Sequence, residues 1–133
     1  MKRKLLFVIA CAVFVIAPAS AFAGQIEGTI QGLNCAAKGI ICPLDKKDPV
    51  IATESTFVVI TEPNTYYLVP NIDRAVMAGH VAEYIKITGK INEKYKSIKA
   101  DDLQVKKNGE WATVWSLEME KAWAAEMSRE SLP

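Results

Sequence analysis

The chain has 133 residues, 50% of them hydrophobic and 23% charged, with sixteen lysines and arginines against fifteen aspartates and glutamates. That near balance, a formal charge of +1, speaks against a strongly basic nucleic-acid binder. The length suits one small domain rather than several.

Lys2, Arg3 and Lys4 form a basic start, Leu5 to Ala17 is an unbroken apolar run, and Ala21-Phe22-Ala23 offers the small-x-small pattern that a signal peptidase reads. We expect residues 1–23 to be a secretory signal peptide. The apolar run of thirteen residues is too short for a comfortable permanent membrane span, so no transmembrane segment is expected after cleavage. Val8-Ile9-Ala10-Cys11 raises the alternative of a lipoprotein anchor with Cys11 lipidated, although the apolar run continues well past that cysteine. Cleavage after Ala23 would leave 110 residues, with thirteen basic side chains facing fifteen acidic ones, a net charge of −2. Cys11 would leave too, so Cys35 and Cys42 would remain as an even pair in an oxidising, periplasmic or secreted setting.

Gln25 to Leu33 alternates, with Ile26, Gly28 and Ile30 on one side, and reads as a half-buried strand. A long loop is expected from Asn34 to about Ser55, carrying both cysteines, Pro43, Pro49 and the charges Asp45 to Asp48. Thr56 to Thr61 and Thr65 to Val69 read as two strands joined by a turn at Glu62-Pro63-Asn64. A short helix should follow, capped by Asn71, with Asp73 in its first turn, and should end near Gly79-His80. Glu83 to Ile91 alternates cleanly as a fourth strand, and Ser97 to Val105 returns as a fifth. The phase of Ile98 and Ala100 differs by one from that of Leu103 and Val105, which predicts a bulge at Asp101-Asp102. Lys107-Asn108-Gly109 signals a hairpin into a short last strand, Trp111 to Trp115. Ser116 should then cap a C-terminal helix over 116–133, with Glu118 and Glu120 in its first turn.

A helix between the third and fourth of five antiparallel strands is the OB-fold order. The stretch Ile87-Thr88-Gly89-Lys90-Ile91, followed by Leu103-Gln104-Val105, resembles the second half of tRNA-anticodon-binding-like OB domains, and the likeness runs over about residues 25 to 106. The expected architecture is therefore mainly β: a five-stranded OB-fold-like Greek-key barrel over 24–115, with a short helix between strands three and four, an appended strand and a C-terminal helix. The resemblance implies a fold and leaves the ligand open.

Cys35 and Cys42, with six residues between them, are too few for a zinc site and too widely spaced for Cys-x-x-Cys redox chemistry. A disulfide bracing the long loop is the expectation. The alternative is a periplasmic copper or redox-associated protein using Cys35 and Cys42, or Met77 and His80, which share a helical spacing. Trp115, Met119, Trp123 and Met127 recur every four residues and should pack on the barrel or on a partner, with Glu126, Arg129 and Glu130 as the solvated side. Seven lysines face three acids between residues 86 and 107. Lys94, Tyr95 and Lys96 in the turn between strands four and five, with Tyr66, Tyr67 and Lys38, make a candidate groove for an envelope protein, an oligosaccharide or a small anion. Nucleic acid is not an expected partner outside the cytoplasm. No nucleophile–base motif, Gly-rich phosphate loop or paired catalytic carboxylates stand out, so we expect a non-catalytic binding or accessory module without a cofactor. Docking of the C-terminal helix into an envelope complex is a further alternative.

Overall fold

The computed structural model describes residues 23–42 and 49–130. The expected signal segment with Cys11, the charges Asp45 to Asp48 and the last three residues lie outside the described residues.

Among the described residues, six strands and four helices follow one another as β1 (Ala23–Gly32), α1 (Leu33–Ala37), α2 (Pro49–Thr53), β2 (Phe57–Glu62), β3 (Thr65–Leu68), α3 (Arg74–Gly79), β4 (Tyr84–Asn92), β5 (Ser97–Lys107), β6 (Glu110–Ser116) and α4 (Leu117–Glu130). The protein is thus mainly β, with one six-stranded sheet in the order β3-β2-β1-β4-β5-β6. Neighbours in that order run antiparallel. A parallel pairing of Leu68 with Ser97 links β3 back to β5, and the Leu68 N–H donates to the Lys96 carbonyl at 2.8 Å beside it.

Period-two alternation sets the core. In β1, Ile26, Gly28 and Ile30 are buried, and in β4 Ile85, Ile87 and Gly89 are. Their register brings Ile26 opposite Ile87 and Gly28 opposite Ile85. Ile30, Val59, Ile85, Ile87, Ile98 and Leu103 are fully enclosed. Burial of such side chains stabilises the fold by about 1.5–3 kcal/mol each.

The phase slip in β5 is a bulge where it was expected. Thr88 pairs with Asp102 and Gly89 with Ala100, so Asp101 is the extra residue. The β5–β6 turn has Asn108 at φ 52° and Gly109 at φ 85°, the positive pair that a two-residue hairpin with the right twist requires. The last strand extends the sheet as its sixth member beside β5.

Two expectations need correction. The long loop is not structureless: α1 and α2 occupy much of it. The cap of α3 is Asp73, whose carboxylate accepts the Ala75 N–H at 2.7 Å. Asn71 instead bonds the backbone of Ala100 twice, accepting its N–H and donating to its carbonyl, each at 2.8 Å. Its side chain therefore ties the approach to α3 onto β5. Of the stripe expected to pack on the barrel or on a partner, only Trp115 packs on the sheet. Ser116 Oγ does accept the Met119 N–H at 3.2 Å, as a cap should, and Trp115 is buried. But no residue of α4 is buried, because the helix leaves from the edge strand and only Asp73 and Val76 border its stripe, across an open cavity.

Candidate functional site

The segment between β1 and β2 is held by three polar side chains that no motif announces. Gln31, at the end of β1, is buried, and its Oε1 accepts the Cys42 N–H at 2.7 Å. Glu54 is only 4% exposed. Its carboxyl accepts the Asn34 backbone N–H and side-chain amide, both at 3.1 Å, and lies 3.5 Å from the Thr56 N–H. Gly32 leaves room for that carboxyl, since a Cβ there would fall 2.6 Å from Glu54 Oε2. Arg74, at the start of α3, donates to the carbonyls of Ile51, Ala52 and Glu54 at 3.1, 2.8 and 2.8 Å, and its guanidinium lies 5.5 Å from the centre of the Phe57 ring. These bonds satisfy backbone groups that the irregular segment would otherwise leave open.

Cys35 in α1 and Cys42 are both buried and lie near each other as free thiols. The Gly32 N–H donates to Cys42 Sγ at 3.2 Å. Hydrogen bonding to Cys42, then burial and the neighbouring charges of Cys42 and Glu54, push the Cys35 thiol up to about 11, while Lys38 works the other way. A thiol held protonated at neutral pH is the reverse of the low-pKa cysteine that redox catalysis uses.

Residues between the two cysteines form a wall. Ala36, Gly39, Ile40 and Ile41 line a cavity of about 320 Å³ whose other side is Ile60, Pro63 and Tyr66. Tyr66 also lines a second cavity of about 400 Å³, with Leu68, Tyr95 and Lys96. Ile41, Ile60 and Pro63 are shared with a third of about 480 Å³ that reaches Tyr84. The shared residues make one groove across β2 and β3, from the cysteine segment to the β4–β5 turn. Ile41 is 79% exposed at its rim.

The expected groove residues divide. Tyr66 and Tyr95 line the groove, and Lys96 sits at its end. Tyr67 does not offer a stacking face: it is buried, and its hydroxyl donates to Glu93 at 3.0 Å. Lys96 is not a free cation, because its Nζ lies 2.7 Å from Glu93 and 3.5 Å from the Tyr67 hydroxyl. That contact raises the Lys96 pKa and, with the Tyr67 bond, lowers that of Glu93. Lys94 lies over the Tyr95 ring at 5.3 Å, and Lys38 ends α1 as its C-cap on the surface.

Two more of these lysines pack on aromatic rings. Lys86 sits 4.4 Å and Lys106 5.6 Å from the centre of the Trp111 ring, which stacks on Tyr84 at 5.9 Å. This cross-strand cluster spans β4, β5 and β6, and the alternation of Tyr84, Lys86 and Trp111 on outward positions was its only trace in the sequence.

Met77 and His80 are separated by burial. Met77 lies in the core, while His80 Nδ1 is 2.7 Å from Glu83 Oε2. Among the described residues, no group of three or more His, Cys, Asp or Glu side chains is arranged to hold a metal ion. Nor is any described helix long and apolar enough to cross a membrane. Compared with protein-family models, with curated proteins and with solved structures, the chain matches none.

Proposed function

We propose that this chain is an exported, non-catalytic binding module built on an OB-type barrel, whose groove over β2 and β3 takes an apolar, extended segment of an envelope protein. The barrel reading draws support from three relationships: β1 pairs with both β2 and β4, α3 falls between the third and fourth strands, and β3 reaches β5. The groove itself carries the functional reading. On the barrel reading it would be the face where OB domains bind, bounded by the segment after β1 and the turn after β4. Its walls are Ile40, Ile41, Pro63 and Tyr66, and the nearest cation is neutralised by Glu93. Apolar walls with a neutralised end favour apolar side chains over an anion.

In this reading Cys35 and Cys42 join as a disulfide after export. Two thiols lose two protons and two electrons to a thiol–disulfide oxidant, and the bond closes the segment that forms the groove wall. A loop this short contributes about 2–3 kcal/mol through the unfolded chain.

Photo-cross-linking in the native envelope tests the groove. A cross-linker at position 41 should give a discrete protein adduct that Tyr66→Ala removes. A cross-linker at position 107, on the β5–β6 hairpin, should give none. Equal labelling from both positions, or none from 41, would end the reading.

A further inference from the structure

We propose that α4 and the cavity at its base form a second docking site, for a basic amphipathic segment of a partner protein. The proposal stands on α4 alone and holds whether or not the β2–β3 groove binds anything.

The surface is apolar and uncovered. Trp123 is 67% exposed, and Met119 and Met127 are exposed beside it. Four-residue spacing puts these three along one side of the helix. At the base of α4, Val76, Val114, Trp115, Met119 and Trp123 line a cavity of about 610 Å³, closed at its edges by Asp73 and Glu120. Trp115 gives this cavity a fixed floor, because its ring is buried and its indole N–H donates to Glu120 at 3.1 Å.

Charge selects the occupant. At about 100° per residue, Glu126 and Glu130 fall beside Trp123 on the stripe rather than opposite it, and both are exposed as expected. Glu120 borders the other flank. The two cations of α4, Lys121 and Arg129, fall on the far side with Glu118. An apolar stripe edged by three glutamates and an aspartate calls for apolar side chains flanked by lysine or arginine.

The same pattern speaks against the other occupants. Two α4 helices packed antiparallel about Trp123 would bring Glu120 of each onto one flank and Glu126 of each onto the other, and like charges so placed repel. An anionic lipid surface would be repelled by the same glutamates, since it attracts basic and not acidic helices.

The test uses the full-length protein and an idealised leucine–lysine amphipathic helix as probe, with a leucine–glutamate twin as control. Calorimetry should show binding of the lysine peptide alone, with a blue shift of tryptophan emission. Trp123→Ala should weaken it by about tenfold or more, as loss of a central aromatic anchor does, without changing the circular dichroism. Glu126→Gln with Glu130→Gln should weaken it and flatten its salt dependence. Equal binding of the glutamate twin, or affinity untouched by Trp123→Ala, overturns the proposal. A Trp123-dependent dimer in sedimentation overturns it in favour of a second copy, and Trp123-dependent binding to phosphatidylglycerol vesicles overturns it in favour of a membrane surface.

Discussion

Glu54 holds Asn34 at two points, its Oε2 accepting the backbone N–H and its Oε1 the side-chain amide, each at 3.1 Å across twenty residues of chain. The contact joins the two ends of the segment that walls the groove. Glu54→Ala leaves those donors without their acceptor in a largely buried place, which costs about 2–3 kcal/mol. Urea unfolding should show the lower midpoint with an unchanged slope. Arg74→Ala removes three bonds to the same segment. The two losses should add to less than their sum, because either substitution alone releases the segment.

Asn71 makes a corresponding pair of hydrogen bonds, to β5. Its amide completes both backbone groups of Ala100, which is fully buried. Asn71→Ala should cost about 2 kcal/mol, two buried bonds at the usual net value. Asn71→Asp keeps the acceptor and loses the donor, so its unfolding midpoint should fall between those of the wild type and Asn71→Ala.

Gly89 faces the bulge. A Cβ there would lie 2.1 Å from the Lys99 carbonyl oxygen and 2.9 Å from Ala100 Cα, both backbone atoms held in the sheet. Gly89→Ala should therefore destabilise by about 1–3 kcal/mol, the usual cost of overpacking. Hydrogen exchange should show the loss of protection centred on β4 and β5. A midpoint equal to that of the wild type would mean that the bulge relaxes freely.

These positions show which parts of the molecule could be read along the chain. The strands were legible because their signal is local: Ile85, Ile87 and Gly89 alternate whatever their partners are. The bulge at Asp101 was legible for the same reason, as a slip in phase between Ala100 and Leu103. Asn71 was misread because its partner is 29 residues away. Next to a helix an asparagine resembles a cap, and only the fold shows that Ala100 has claimed it. The helices α1 and α2 have five residues each, too short to leave a periodic pattern, and the residue before α1, Gly32, offers no side-chain cap. Gln31, Glu54 and Arg74 looked like ordinary polar residues, since the burial of Gln31 and Glu54 and the carbonyls that Arg74 reaches are decided by tertiary packing. The α4 stripe was seen, but its exposure depends on α4 leaving from an edge strand.

The last prediction concerns the cysteine pair in its reduced form. Cys35 has its thiol pushed from 9.0 to about 11, first by its hydrogen bond to Cys42 and then by burial. The folded state therefore keeps a proton that the unfolded chain releases between those two values. Linkage fixes the sign: this contribution to stability is complete below about pH 9 and is lost as pH rises toward about 11. With reductant present, the urea midpoint of the wild type should fall more steeply across that window than that of Cys35→Ser, which has no thiol to ionise. Alkylation of native Cys35 should be slow at neutral pH and accelerate in the same window, because the thiolate is the reacting form. After oxidation, both dependences should vanish, and unfolding without reductant should expose neither Cys35 nor Cys42 to a thiol reagent. Two titratable thiols in protein recovered from an oxidising compartment would contradict the proposed brace. Fast alkylation of Cys35 near neutral pH would contradict the protonated thiol.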